Sequence, residues 1–168
     1  MGAARPSAAS NMAARQLGQL IAERGWVLLT GGRPLGVMAA ACAGAKQVPG
    51  SLTIGILPGS SGGEGPDVDV AVFTGMGDAR NAINVLTSDV VIACGVEGPG
   101  TTSEVALAVK AGKPVILVGA SAEAQAFFRT LGGVLEASGA ADAVLLIEEA
   151  LKIQAARQNV RAGQDSTT

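Results

Sequence analysis

The chain has 168 residues, one domain's worth, and its 48% apolar against 15% charged residues excludes a disordered polypeptide. Net charge is −2 and no run of Lys or Arg exceeds one residue, which leaves no footprint for backbone-driven nucleic-acid binding. Histidine is absent, so His-based acid–base catalysis, Ser-His-Asp triads and His-ligated metal sites are all excluded.

Aromatics are only 2% of the chain, so the core must be packed from Val, Leu, Ile and Ala. In chain order, Ala13, Leu17, Leu20 and Ile21 recur at helical spacing and predict a helix over residues 12–24, capped by Ser10 or Asn11. Residues 26–30 form a short apolar run, read as a buried parallel strand with Trp26 at its start. A turn at 31–36 leads into a small-residue helix at 36–47, then a strand at 52–57. Residues 58–69 are a Gly/Ser/Pro loop. Residues 70–73 read as a strand, 78–87 as a helix capped by Asp78, and 89–94 (DVVIAC) as a strand. A helix over 101–111, a strand over 114–118 and helices over 122–131 and 141–157 complete the pattern. Strands alternating with helices predict an α/β fold with a doubly wound, mostly parallel, Rossmann-like sheet. The expected organisation is one ligand-binding domain over 1–158 with a frayed polar tail at 159–168.

No apolar stretch reaches the roughly 18–20 residues needed to span a membrane, and no secretory apolar segment opens the chain. Pro6 stands where N-myristoylation needs Ser or Thr. The expected compartment is the cytoplasm. Cys42 and Cys94 are too few for a disulfide framework and too far apart in sequence for a zinc site, so no metal site is expected. Both cysteines read first as small core residues; Cys94 ends a strand near the expected crevice, which leaves a thiolate contact with the ligand as its second reading.

Three loops carry candidate chemistry. Gly31, Gly32, Arg33 and Gly36 lie between a strand and a helix, where glycines let the backbone approach an anion and the helix start adds free N–H groups. Gly75, Gly77 and Arg80 form the second; a cation in a first helical turn is unfavourable against the helix dipole, so Arg80 calls for an anion or a carboxylate partner. Gly98, Gly100, Thr101, Thr102 and Glu104 form the third. Thr101 and Glu104 are spaced as a capping box, which needs no ligand; alternatively Glu104 faces the crevice as an acid, a base or a hydroxyl acceptor. Ligands of open α/β sheets bind at the edge where these loops converge.

The segments GGRPLGVMAAACAGA (31–45), TGMGDARNAINVLTSDVVIACG (74–95) and GPGTTSEVALAVKAGKPVILVG (98–119), with TIGILPG at 53–59 and the pair Phe127-Phe128, resemble the LOG-like superfamily, long misnamed lysine decarboxylases. Within it the chain is most similar to the molybdenum cofactor carrier proteins of algae and cyanobacteria, from about Arg15 to about Leu151. The resemblance implies a Rossmann-like fold, a homodimer or homotetramer, and molybdenum cofactor, an anionic pterin phosphate, as bound cargo. It implies no nicotinamide or pyridoxal phosphate. Molybdoenzymes or cofactor-insertion proteins are the candidate partners.

Cytokinin-activating relatives instead hydrolyse nucleoside 5′-monophosphates at the N-glycosidic bond, with an Arg-Lys pair and a P-G-G-x-G-T-x-x-E loop. Here Arg80 and Glu104 match those catalytic positions, but Asn81 stands at the lysine, and Val96 and Glu97 replace the leading Pro-Gly. Glu97 adds negative charge beside the expected anion site. These departures count against hydrolysis more than against binding. The readings in order are a carrier without turnover, a phosphoribohydrolase, and a nucleotide sensor. The family also opens with a strand ending in a glycine turn, whereas this chain starts at Met1-Gly2-Ala3-Ala4, where that strand would finish. The first strand is therefore expected to be truncated and Met1 to be an internal methionine of a longer protein.

Overall fold

The computed structural model describes residues 1–165, with side chains to residue 159; residues 166–168 lie outside it. Among the described residues, six strands and six α-helices follow one another largely in alternation; the sequence predicts all six helices and five of the strands. Strands β1 (Leu28–Thr30), β2 (Thr53–Leu57) and β3 (Val70–Phe73) form one parallel sheet in that order, and β4 (Val91–Cys94), β5 (Val115–Val118) and β6 (Val134–Ala137) form another. Leu29 lies opposite Ile54 in the first, and Ala93 opposite Leu117 in the second.

The alternation of β4 and β5 places helices on both faces. Cys94, Ile116 and Val118 pack into a core with α1 (Ala8–Glu23), α2 (Gly36–Ala45) and α6 (Ala140–Asp165). Val91, Ala93, Val115 and Leu117 face the other way, against α3 (Asn81–Thr87), α4 (Pro99–Lys110) and Phe128 of α5 (Ala122–Leu131). Helices α1 and α2 cross at backbone contact: a Cβ on Gly18 would lie 1.9 Å from the Ala41 carbonyl oxygen, and one on Gly44 would lie 1.9 Å from that of Arg15. Only glycine permits this approach.

The two sheets flank a gap where a central strand would run. Leu28 donates its N–H to Leu52 on the β2 side, so the backbone of Leu29 faces the gap; Val91 donates to Pro114 on the β5 side, so the backbone of Ile92 faces it from across. Met1–Gly2 holds the upper end of that position. Met1 N–H donates to the Ile92 carbonyl, Cys94 N–H donates to the Met1 carbonyl at 2.9 Å, and Gly2 bridges Cys94 in parallel. Below it is a cavity of about 560 Å³ lined by Leu28, Leu29, Ile92, Trp26 and Ile147.

Several boundaries differ from the sequence reading. Helix α1 starts four residues earlier than predicted because Ser7, not Ser10 or Asn11, is its cap: the Ser7 hydroxyl accepts from Ser10 N–H at 3.1 Å. Trp26 precedes β1 rather than starting it and packs on the α1 side of the core. Strand β6 went unforeseen. Its residues, VLEA between a glycine pair and small residues, carry no alternation, and Leu135 is exposed at the sheet edge; only pairing with β5 makes it a strand.

Candidate functional site

The crevice at the C-terminal strand ends has a volume of about 280 Å³. Of the residues singled out in the sequence, Gly31, Arg33, Arg80, Gly98, Gly100, Thr101 and Glu104 line it, joined by Met1–Ala4, Asp78 and Asn81. Gly32, Gly36, Gly75, Gly77 and Thr102 do not. The Gly32 carbonyl accepts from Gly65 N–H at 2.7 Å and anchors the 58–69 loop. Gly75 and Gly77 donate to Gly59 and Pro58 and fix the same loop from the other side. The Thr102 hydroxyl turns back onto the Gly98 carbonyl at 3.0 Å.

The Gly31–Gly36 turn is a poorer anion seat than the sequence suggests. Gly36 lies at φ +55°, and the Val37 N–H at the start of α2 already donates to the Ala3 carbonyl at 3.2 Å. A Cβ on Gly36 would lie 2.2 Å from that same carbonyl oxygen. Glycine here admits the 1–7 segment, not a ligand. Gly31 serves the crevice more directly: a Cβ on it would sit 2.7 Å from Arg80 Nη1 and 2.7 Å from Met38 Sδ. The bare glycine is what lets the guanidinium come this close to the end of β1.

Helix α4 supplies the open N-terminus. It starts at Pro99 with Gly98 as cap and no side-chain cap, so the capping box proposed for Thr101 and Glu104 does not form. Pro99 occupies the first helical position, two residues earlier than expected, which moves Thr101 and Glu104 inside the helix. The N–H groups of Gly100 and Thr101 have no intrahelical partner, and the dipole adds partial positive charge there. Asp78 likewise caps nothing: a 3-10 turn, Gly77–Arg80, precedes α3, and Arg80 itself is the α3 cap.

Arg80 and Glu104 are both buried, at 4% and 8% exposure. Arg80 Nη1 stands 3.9 Å from Glu104 Oε1, an ion pair beyond hydrogen-bond distance. The carboxylate is held instead by Asn84, whose amide donates to Glu104 Oε1 at 3.2 Å. Arg80 Nε, buried, has no protein acceptor. Burial pushes the Arg80 guanidinium below its ordinary pKa and Glu104 pulls it back up; an arginine nonetheless stays charged at neutral pH. The carboxylate partner demanded by a cation at a helix start is thus Glu104. Loose pairing leaves donors of Arg80 directed to whatever enters the crevice.

Asn84 was missed in the sequence. The available signal was its place four residues after Arg80, on one helical face, as a fully buried amide between Ile83 and Val85. Glu97 was expected beside the anion site and is not there: its carboxylate accepts from Ser7 N–H at 2.9 Å and from the Ser10 hydroxyl at 2.7 Å, at the start of α1. Those hydrogen bonds hold its pKa below the usual carboxylate range. Cys94 lines the crevice but is buried, and burial pushes its thiol up; Cys42 is buried as well, with its thiol raised in the same way. No helix among the described residues is long and apolar enough to cross a membrane.

Comparison with known proteins places this geometry. The structure of the molybdenum cofactor binding protein from the phototrophic bacterium Rippkaea orientalis is similar at TM-score 0.87 and 50% identity, over 90% of this chain and 94% of that one. The molybdenum cofactor carrier protein from Chlamydomonas reinhardtii is similar at TM-score 0.84 and 46% identity, over 90% and 96%. An uncharacterized protein from Archaeoglobus fulgidus is 46% identical over 102 residues; the match spans 61% of this chain and 66% of that protein, just under two thirds. The family model described as SLOG cluster4 matches residues 1–144, so the chain belongs to the SLOG cluster4 family.

Proposed function

We propose that the crevice binds molybdenum cofactor and carries it without turnover. The observation that carries the reading is the junction of an uncapped helix start at Gly100–Thr101 with a buried arginine whose Nε lacks a protein partner. Backbone N–H groups, the helix dipole and a guanidinium are what a terminal phosphate requires. Arg33 at the rim adds a second cation. The similarity to carrier and binding proteins of this cofactor supports the choice of cargo. Cys94, the thiol that lines the crevice, is buried and has its pKa pushed up by burial, which suits cargo that must leave unchanged.

Expression in a cofactor-producing host tests this. Purified protein should yield pterin fluorescence after oxidation and stoichiometric molybdenum, and Arg80→Ala should yield neither. Protein that leaves that host with neither would overturn the reading.

One observation favours a second reading. Glu104 sits in the crevice, oriented by Asn84 and beside Arg80, where a carboxylate could work on a sugar hydroxyl or a leaving base. Turnover of adenosine monophosphate that disappears in Glu104→Gln would establish a phosphoribohydrolase. The protein is read as cytoplasmic, delivering its cargo to molybdoenzymes or cofactor-insertion proteins. It is also read as a homodimer or a dimer of dimers, since Leu107 on α4 and Leu86 on α3 are exposed on adjoining helices. Light scattering that returns a monomer would remove that assembly.

A further inference from the structure

The segment 1–7, whose first four residues wall the crevice, is not part of any named strand or helix, yet it is fastened at three places. Met1 is bonded to β4, the Ala3 carbonyl caps Val37 of α2, and Ser7 is held by Glu97. The third fastening differs from the others in using a side chain from the loop that carries the helix α4 start. Glu97 immediately precedes Gly98, the α4 cap.

The fastening is a chain of four hydrogen bonds. The Ser7 hydroxyl donates to the Ser10 hydroxyl at 2.9 Å, which donates to Glu97 Oε1 at 2.7 Å, while Ser7 N–H donates to Glu97 Oε2 at 2.9 Å. Ser10 N–H closes the group by donating back to the Ser7 hydroxyl at 3.1 Å. Ser10 is buried. The first turn of α1 has no acidic residue of its own, so Glu97 is the carboxylate that its positive end receives, supplied across the fold. The fit is close: Gly95 lies at φ +64°, and a Cβ there would stand 2.6 Å from Ser10 Oγ and 2.8 Å from Glu97 Oε1.

We infer that Glu97 is a positioning residue for the ligand. It pins the loop 95–98, and with it the free N–H groups of Gly100 and Thr101, against the start of α1. The inference rests on the reading of the α4 start as an anion seat. Glu97 does not touch the anion; turned to Ser7 and Ser10, its charge is both matched by donors and withdrawn from the crevice. A negative residue that would repel the ligand thereby becomes the one that holds the ligand's loop in place.

Sulfate is the probe, titrated against the full chain well below its melting temperature. Glu97→Ala is expected to weaken sulfate binding about tenfold, the loss expected when hydrogen bonds to a charged group are removed. Glu97→Gln, which still accepts, should recover part of it. Ser10→Ala should be intermediate, and Glu97→Ala with Ser10→Ala no worse than Glu97→Ala alone, because both act through one contact. Ser121→Ala removes a comparable cap at the start of α5, outside the crevice lining, and should lower the melting temperature while leaving sulfate affinity unchanged. Amide exchange at Thr102, whose N–H bonds the Gly98 carbonyl at 3.1 Å, should quicken about tenfold in Glu97→Ala and stay unchanged in Ser121→Ala. Unchanged sulfate affinity and exchange in Glu97→Ala would overturn the inference while leaving the anion seat intact. If the unsubstituted protein binds neither sulfate nor phosphate, the anion seat itself falls and the inference with it.

Discussion

The two half-sheets contribute opposite things to one crevice. The half built on β1–β3 gives shape: Gly31 clears room for a guanidinium, Gly36 admits the Ala3 carbonyl, and Gly32 ties down the 58–69 loop. Arg33 at the rim is its one charged side chain there. The half built on β4–β6, with the crossover leading into it, gives charge and hydrogen bonding: Arg80, Asn84, Thr101 and Glu104 all come from residues 80–104 and all are buried. A backbone can be brought close only where side chains are missing, and a charge can be buried only where a partner is at hand. Dividing the two tasks between halves satisfies both conditions at one edge.

Substitutions in the two halves should accordingly fail in different ways. The largest effect is expected at Arg80. Arg80→Met strands Glu104 as a buried unpaired charge, at about 3 kcal/mol in urea unfolding, and should reduce sulfate affinity roughly a hundredfold. Glu104→Gln separates the two readings of function. It keeps the Asn84 contact and removes a negative charge near the seat, so a carrier should bind sulfate as well as before or better, whereas a hydrolase should lose its turnover.

In the first half the penalty falls on folding. Gly36→Ala combines a disfavoured backbone region with a collision at the Ala3 carbonyl and should cost about 2 kcal/mol by chemical denaturation. Gly31→Ala breaks the pattern deliberately. Its nearest atoms are the flexible ends of Arg80 and Met38, so they can shift, and the expected outcome is sulfate affinity reduced roughly tenfold with little change in melting temperature. Gly31→Ala that destabilises as strongly as Gly36→Ala would show that the glycine serves the fold rather than the guanidinium.

The smallest effect concerns pH. Asp69 binds Lys46 and accepts from Thr53 N–H at 2.8 Å, and these contacts, Lys46 first, hold its pKa below the ordinary 3.8. A depressed folded pKa gives stability that is complete above the unfolded value and is lost as pH falls through the folded one. Stability of the unsubstituted protein should therefore decline below about pH 4 more steeply than that of Asp69→Asn, measured by urea midpoints across the acid range. Parallel curves would remove Asp69 as a source of the decline.

Element type and order were legible because the signals are local. β3 and α5 follow from short apolar runs or helical spacing between glycines, and the loops expected to carry function do end at one sheet edge. The shared edge was legible for a further reason: parallel connectivity puts every strand-to-helix turn on the same side. Local signals misled where a local partner was assumed. Thr101 and Glu104 have capping-box spacing, but Pro99 starts the helix earlier and Glu104 is drawn to Asn84 and Arg80, residues that lie 20 and 24 positions away. Glu97 looked like a charge beside the ligand because its neighbours in sequence are ligand loops, whereas its hydrogen-bond partners lie some 90 positions earlier.

The sequence by itself determined that this is an α/β chain with glycine turns, buried aliphatic strands and one arginine in need of a carboxylate, since periodicity, turn chemistry and helix electrostatics act over a few residues. Only the tertiary structure decided which carboxylate answers Arg80, which turns away to hold α1, and which glycines face a ligand rather than another stretch of backbone. It decided β6 as well. Each of these depends on contacts between residues distant in sequence, and a hydrogen bond or an ion pair is selected by what folding brings within about 3–4 Å, not by spacing along the chain.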